Sequence, residues 1–142
     1  MLSGNAIATF EIKQEFKELT LAEAKALQGT VRLDVEKPDG TTVLVREFVE
    51  SGADKEIFNI TLIDDMSIPA SKFASFRTAS SRGSTWKNTD KLKLGDDAIL
   101  CTDGIYRRVM GRESIGTGPV FNLNVNDRDN VFSANGIVVR GA

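Results

Sequence analysis

Val120-Phe-Asn-Leu-Asn-Val-Asn-Asp-Arg-Asp-Asn-Val-Phe-Ser-Ala-Asn-Gly-Ile-Val-Val-Arg-Gly-Ala142 closes this 142-residue chain. It reads as two short strands, Val120 to Val125 and Ile137 to Val139, joined by a polar turn. The sequence stops three residues after the second apolar run. Domain ends are usually loose, so a chain that enters a core strand and halts there is expected to hold its end at a defined place.

The other end has the same character. Met1-Leu-Ser-Gly-Asn5 is a turn followed by the apolar run Ala6 to Phe10. Thr20-Leu-Ala-Glu23 is a capping box; Ala22, Ala24, Ala26 and Leu27 favour helix, and Gly29 ends it. One short helix over about residues 20–28 is predicted. Thr30 to Val35 alternates as a strand, Pro38-Asp-Gly40 turns, and Thr41 to Val49 returns, making a hairpin. Glu50-Ser-Gly52 predicts a break. A strand over Lys55 to Leu62, a turn at Asp64-Asp65 and a second strand are expected next. Arg77 to Ser84 reads as a mobile loop and Trp86 as a core anchor. Asp96 and Asp103-Gly104 read as turns around the strand Ala98 to Cys101. Ile105 to Met110 reads as a strand, and Gly111 to Gly118 as a flexible link. Many short strands with Gly, Asp and Asn turns, plus one helix, predict a mostly β domain.

Composition narrows the function. Hydrophobic content of 41% and charged content of 27% suit one globular domain with a real core. A net charge of −2 offers no basic face for nucleic acid. No apolar run reaches the length of a membrane span and no signal peptide is visible, so a cytoplasmic chain is expected. There is no histidine, which removes the usual general base and metal ligand. The single Cys101, in an Ile-Leu-Cys strand, excludes an internal disulfide and reads as a small core residue. No metal or cofactor is expected, and no conventional hydrolase constellation can be assembled.

Several motifs together resemble inteins and their Hint-fold (hedgehog–intein) relatives. The closing stretch is similar to their C-terminal pattern, an aromatic-Asp-x-x-Val run, then Asn-Phe-x-Ala-Asn-Gly, β-branched residues and a terminal His-Asn. Leu2, Ser3, Gly4 and Asn5 fit the opening Cys-Leu/Val-x-Gly-Asp/Asn. Lys55-Glu-Ile-Phe-Asn-Ile-Thr-Leu-Ile-Asp-Asp65 followed by Ile68-Pro-Ala-Ser71 to Phe76 resembles the Ile-Thr-Leu and Thr-x-x-His motifs in register. Trp86 followed by Asp90-Lys-Leu-Lys-Leu-Gly-Asp96 resembles a further one.

The resemblance implies a Hint-type, horseshoe or β-barrel-like fold of many short strands with one or two short helices. It implies one domain over 1–142 with no homing endonuclease insertion. The implied activity is protein splicing, with flanking exteins as partners and neither nucleic acid nor membrane. The site residues carry over one by one. Met1 stands at the nucleophile position and its thioether cannot attack. Ser71 keeps the hydroxyl of the motif Thr, while Ala74 stands where the motif His is expected. Asn122 replaces the acidic residue after the aromatic, and Asn130 or Asp129 takes the place of a further His. At the end two alignments are open. In one, Arg140 and Gly141 lie on the His-Asn pair and Ala142 is the first extein residue. In the other, preferred because the sequence ends there, Gly141 is penultimate and Ala142 replaces the terminal Asn. Loss of reactive groups at both ends with shape retained suggests a splicing-inactive form. The family also allows a split chain, a fragment of about residues 1–28 adding Ile7, Phe10, Ile12 and Phe16 to a sheet edge. Two other readings stay open: a catalytically dead Hint-like binding or structural module, and a Hint autoprocessing domain that cleaves without splicing.

Overall fold

The computed structural model describes residues 1–141, and the side chains of all of these except residues 52–54. Among the described residues twelve strands form one antiparallel sheet system around a single short helix. The fold is mostly β, as the alternating patterns predict.

Two long strands form its spine. β5 (Thr42–Leu62) pairs antiparallel with β10 (Tyr106–Val125) from Val109↔Leu62 to Val125↔Val45. Four register irregularities interrupt that ladder, and each lets the pair bend. The remaining strands hang from this spine. β1 (Leu2–Ser3) lies between β10 and β6 (Ser67–Ser71). β2 (Ile7–Ile12) and β3 (Glu15–Thr20) make a hairpin that joins β5 through β4 (Asp34–Glu36). β7 (Ser75–Ser80) carries β8 (Gly83–Asn88) on one side. β7 also pairs β9 (Ala98–Leu100) and β12 (Ile137–Arg140), and β12 ends against β11 (Val131–Ala134).

Helix α1 (Leu21–Leu27) starts on the predicted capping box. Thr20 Oγ1 accepts from Glu23 N at 3.1 Å and Glu23 Oε1 accepts from Thr20 N at 3.0 Å. Gly29 follows at φ +87°, the left-handed conformation that closes a helix. The core runs unbroken through the sheet, with Phe10, Phe76, Phe132, Leu123 and Ile137 fully enclosed. Cys101 is buried among them, as its strand position implies.

Several local expectations fail, the first four because sheet pairing overrides turn chemistry. Glu50-Ser-Gly52 does not break the chain, because Ser51 and Glu50 pair with Val120 and Phe121. Gly111 to Gly118 is no flexible link but the middle of β10. Arg77 to Ser84 forms the β7–β8 hairpin rather than a loop, with Ser80↔Gly83 at its tip. The segment between Val125 and Ile137 is more than a turn, since β11 lies inside it. Of Thr30 to Val35 only Asp34 and Val35 enter a strand, Val31 making an isolated bridge. Trp86 is half-buried on β8, outside the core. Ile7 and Phe16 are exposed while Phe10 and Ile12 are buried, so these four do not share one face.

Candidate functional site

β6 ends at Ser71 beside the first residue of the chain. Ser71 gives that residue two hydrogen bonds, its backbone N–H and its Oγ–H both donating to the Met1 carbonyl, at 2.9 and 2.7 Å. Ser71 is buried, so the pair is shielded from competing water. Burial also pushes the Met1 α-amine down to about 6, because the charged form loses its hydration. A tight turn follows, in which Ala74 N–H donates to Ser71 O at 3.2 Å. Ala74 is buried there, and its methyl group brings no proton donor or base to the site.

The first strand is seated by a close approach. Leu2 pairs with Phe121 and Ser3 with Val120. A methyl group on Gly4 would lie 2.8 Å from the Phe121 ring and 3.3 Å from Ala22 Cβ. Only glycine lets this turn settle onto β10 and α1. Continuing the register sets Met1 level with Asn122, whose side chain is buried.

The closing strand reaches the same part of β10 from its other end. Gly141 N–H donates to Asn130 O at 2.8 Å, and Asn130 Oδ1 accepts from Val125 N–H at 2.8 Å. A Cβ built on Gly141 would collide with Asn130 Nδ2 and with Leu123 O. The Asn130 carboxamide therefore fills the space that a side chain at 141 would take. Leu2 and Gly141 thus meet β10 at Phe121 and Leu123, two residues apart, roughly 7 Å along a strand.

Of the sequence-predicted site residues, Met1, Ser71, Ala74, Asn122, Asn130 and Gly141 are gathered by these contacts. Asn130, not Asp129, turns inward. Arg140 is engaged elsewhere: it is exposed, and its guanidinium lies 4.4 Å from the centre of the Trp86 ring, with Arg77 at 5.8 Å. The position expected to matter at Ala142 lies outside the described residues. Among the described residues no group of three or more Asp, Glu or Cys side chains converges to hold a metal.

Two residues went unnoticed in the sequence. Asn135, at φ +53° in the turn between β11 and β12, clasps β2 and β6. Its Oδ1 accepts from Ile7 N–H at 2.7 Å, its N–H donates to Ile7 O at 2.8 Å, and its Nδ2 donates to Ser67 O at 3.0 Å. The Asn-Gly pair was the signal, since it demands left-handed backbone. Asp97 is the other. Fully buried, it takes two 3.0 Å bonds from Lys87 Nζ and one of 2.8 Å from Lys93 N–H. Its neighbour Asp96, the predicted turn residue, is exposed.

This sheet system has clear counterparts among solved structures. The transcription factor IIB Mvu mini-intein superposes with a TM-score of 0.84 at 15% identity, over 99% of this chain and 100% of that one. The fold is that of an intein. The VidaL intein matches at 0.82 and 18% identity over 99% of this chain and 95% of its own. A DnaB intein from Synechocystis sp. PCC 6803 matches at 0.75 and 18%, over 99% and 97%. No protein-family model and no curated protein sequence matches the chain. At these identities the likeness is one of architecture, and it bears out the Hint-type fold that the motifs imply. No helix among the described residues is long and apolar enough to cross a membrane.

Proposed function

We propose that this chain is a protein-splicing element, unreactive as it stands because of the residues at its two ends. The observation that carries the reading is the convergence of Leu2 and Gly141 on Phe121 and Leu123 of one strand. Splicing breaks one bond before residue 1 and another after the last residue, then joins the flanks, so both bonds must lie at one centre.

The contacts support the following roles. A thiol or hydroxyl at position 1 would attack the preceding carbonyl, forming a thioester or ester and freeing the α-amine. Met1 cannot do this. Ser71 holds the carbonyl of residue 1 with two donors, anchoring the residue whose nitrogen leaves in the acyl shift. A flanking nucleophile downstream would then take the acyl group. A terminal Asn would release the branched product by attacking its own carbonyl with its side-chain nitrogen, and alanine at 142 cannot. Asn130 sets the path of the chain entering that step. Asn122 and Arg140 are assigned supporting places, Asn122 level with residue 1 and Arg140 holding the end of β12 against Trp86. The partners are the flanking exteins.

Met1→Cys with Ala142→Asn, placed between two test exteins, should give ligated exteins detectable by mass. An uncleaved precursor under every condition would overturn the proposal. Ala74 leaves the first step without its usual acid, and the reading this favours second is an inert module on the same scaffold. If Met1→Cys alone gives thiol-induced cleavage and position 142 has no influence, the chain is an autoprocessing domain instead. If neither variant reacts, it is an inert module on the same scaffold.

A further inference from the structure

The turn between β6 and β7 places Lys72 and Phe73 between the two motif residues Ser71 and Ala74. Phe73 is 66% exposed, an unusual position for a large aromatic ring, and Lys72 Nζ lies 5.5 Å from its centre. The ring forms one wall of a cavity of about 390 Å³. Buried Val120 and Ser71, with Lys55 and Glu56 of β5, complete its lining. Met1 is itself part of the lining, so a residue attached before it lies beside this space.

The charges on the rim are unequal. Glu56 Oε2 already accepts from Ser114 Oγ at 2.8 Å. Among the described residues neither Lys55 nor Lys72 has a carboxylate partner. An apolar wall lined by two lysines and one carboxylate, a net positive charge, fits one kind of peptide: a large apolar side chain with a carboxylate just behind it.

We propose that this cavity is a recognition site for the segment upstream of residue 1, selecting an aliphatic or aromatic residue immediately before Met1 and an acidic one before that. Phe73 and Val120 bind the apolar side chain, and Lys55 and Lys72 the carboxylate. The proposal rests on the splicing reading, since it concerns the sequence that reading places upstream. It can nevertheless be tested on the unreactive chain, without any cleavage.

The chain is fused to short Gly-Ser leaders ending Glu-Leu, Glu-Asp or Lys-Leu directly before Met1, and Tm is measured for each. The Glu-Leu leader should melt highest, by about 3 °C over the other two. Phe73→Ser, a change at an exposed position, should abolish the advantage of Leu over Asp. Lys72→Glu should reverse the preference of Glu over Lys. Equal melting of the three leaders, or an advantage of Leu that survives Phe73→Ser, overturns the site. Failure here with successful ligation from the restored ends leaves the splicing reading intact. Success here with no ligation leaves the site and removes the chemistry.

Discussion

At Met1 the fold enforces proximity and desolvation together, and both have measurable consequences. The α-amine sits at about 6 when folded, against an ordinary value of 8.0. The folded state therefore holds fewer protons than the unfolded chain between those values, and stability must rise with pH across that window. Above pH 8 both states are neutral at this group and it contributes nothing; below pH 6 both are charged and the full cost of burying the cation is felt. The two-unit gap corresponds to about 3 kcal/mol at most. Denaturant midpoints at pH 5.5 and 8.5 should show this rise in the free-amine chain, and N-terminal acetylation should flatten it. Gly141 makes the complementary case at the other end. Gly141→Ala should cost about 1–3 kcal/mol by overpacking. Asn130→Ala should recover part of that in the double variant but not all, because Leu123 O still meets the new methyl group. A double-mutant cycle by urea denaturation reads the coupling. No coupling would mean that Asn130 does not occupy that space.

The elements show where a sequence speaks and where it is silent. The helix was legible because its stop and start signals act within a few residues: Thr20 to Glu23 at one end, Gly29 at the other. The strand Ala98–Leu100 and the turn at Asp64-Asp65, both residues at positive φ, were legible for the same reason. Gly111 to Gly118 was not. Its glycines and Ser114 look like a linker, yet Glu113 and Ser114 pair with Asn59 and Phe58, residues more than fifty positions earlier. No local pattern carries that information. The candidate site divides the same way: Ser71 and Ala74 share one turn and one motif, while the meeting of Gly141 with Asn130 depends on how β10, β11 and β12 pack. Asp97 was hidden by its neighbour, since either carboxylate of the Asp96-Asp97 pair could have served the turn. The structure gives the buried place to Asp97 and pairs it with Lys87 across from β8. Removing one member of such a pair strands a charge. Lys87→Met should therefore destabilise by about 3 kcal/mol, seen as a drop in the urea midpoint, whereas Lys91→Met at an exposed position should change little.

For the molecule as a whole, the unusual feature is that its first strand lies in the interior of the sheet order while its first helix lies outside. β1 is flanked by β10 and β6, and β2 by β3 and β4, so residues before Gln28 contribute to both the centre and the edge. Leu2, Ala6, Ala8, Phe10 and Leu21 from this segment are all buried against the rest. The segment from 28 to 31 is held by local links, Thr30 N–H and Val31 N–H both donating to Leu27 O and Gln28 bridging Val31, before Leu33 rejoins the core and accepts from Val45 N–H. A break there removes little enthalpy, and a fragment of residues 1–28 would recover its buried apolar surface only on the other piece. The two fragments, 1–28 and 29–142, should therefore associate when mixed, and the small one should be unstructured alone. Its main-chain pairing supplies the register and Phe10 and Leu2 supply the anchoring surface. Mixing should produce β-sheet circular dichroism beyond the sum of the parts, with one-to-one stoichiometry by light scattering. Phe10→Ala in the small fragment should weaken the complex by at least about 3 kcal/mol, more than a hundredfold in Kd. Phe16→Ala, on the exposed face, should leave the affinity close to that of the parent. If the two substitutions act alike, the small fragment does not dock in the orientation of the continuous chain, and the central position of β1 is not what joins the halves.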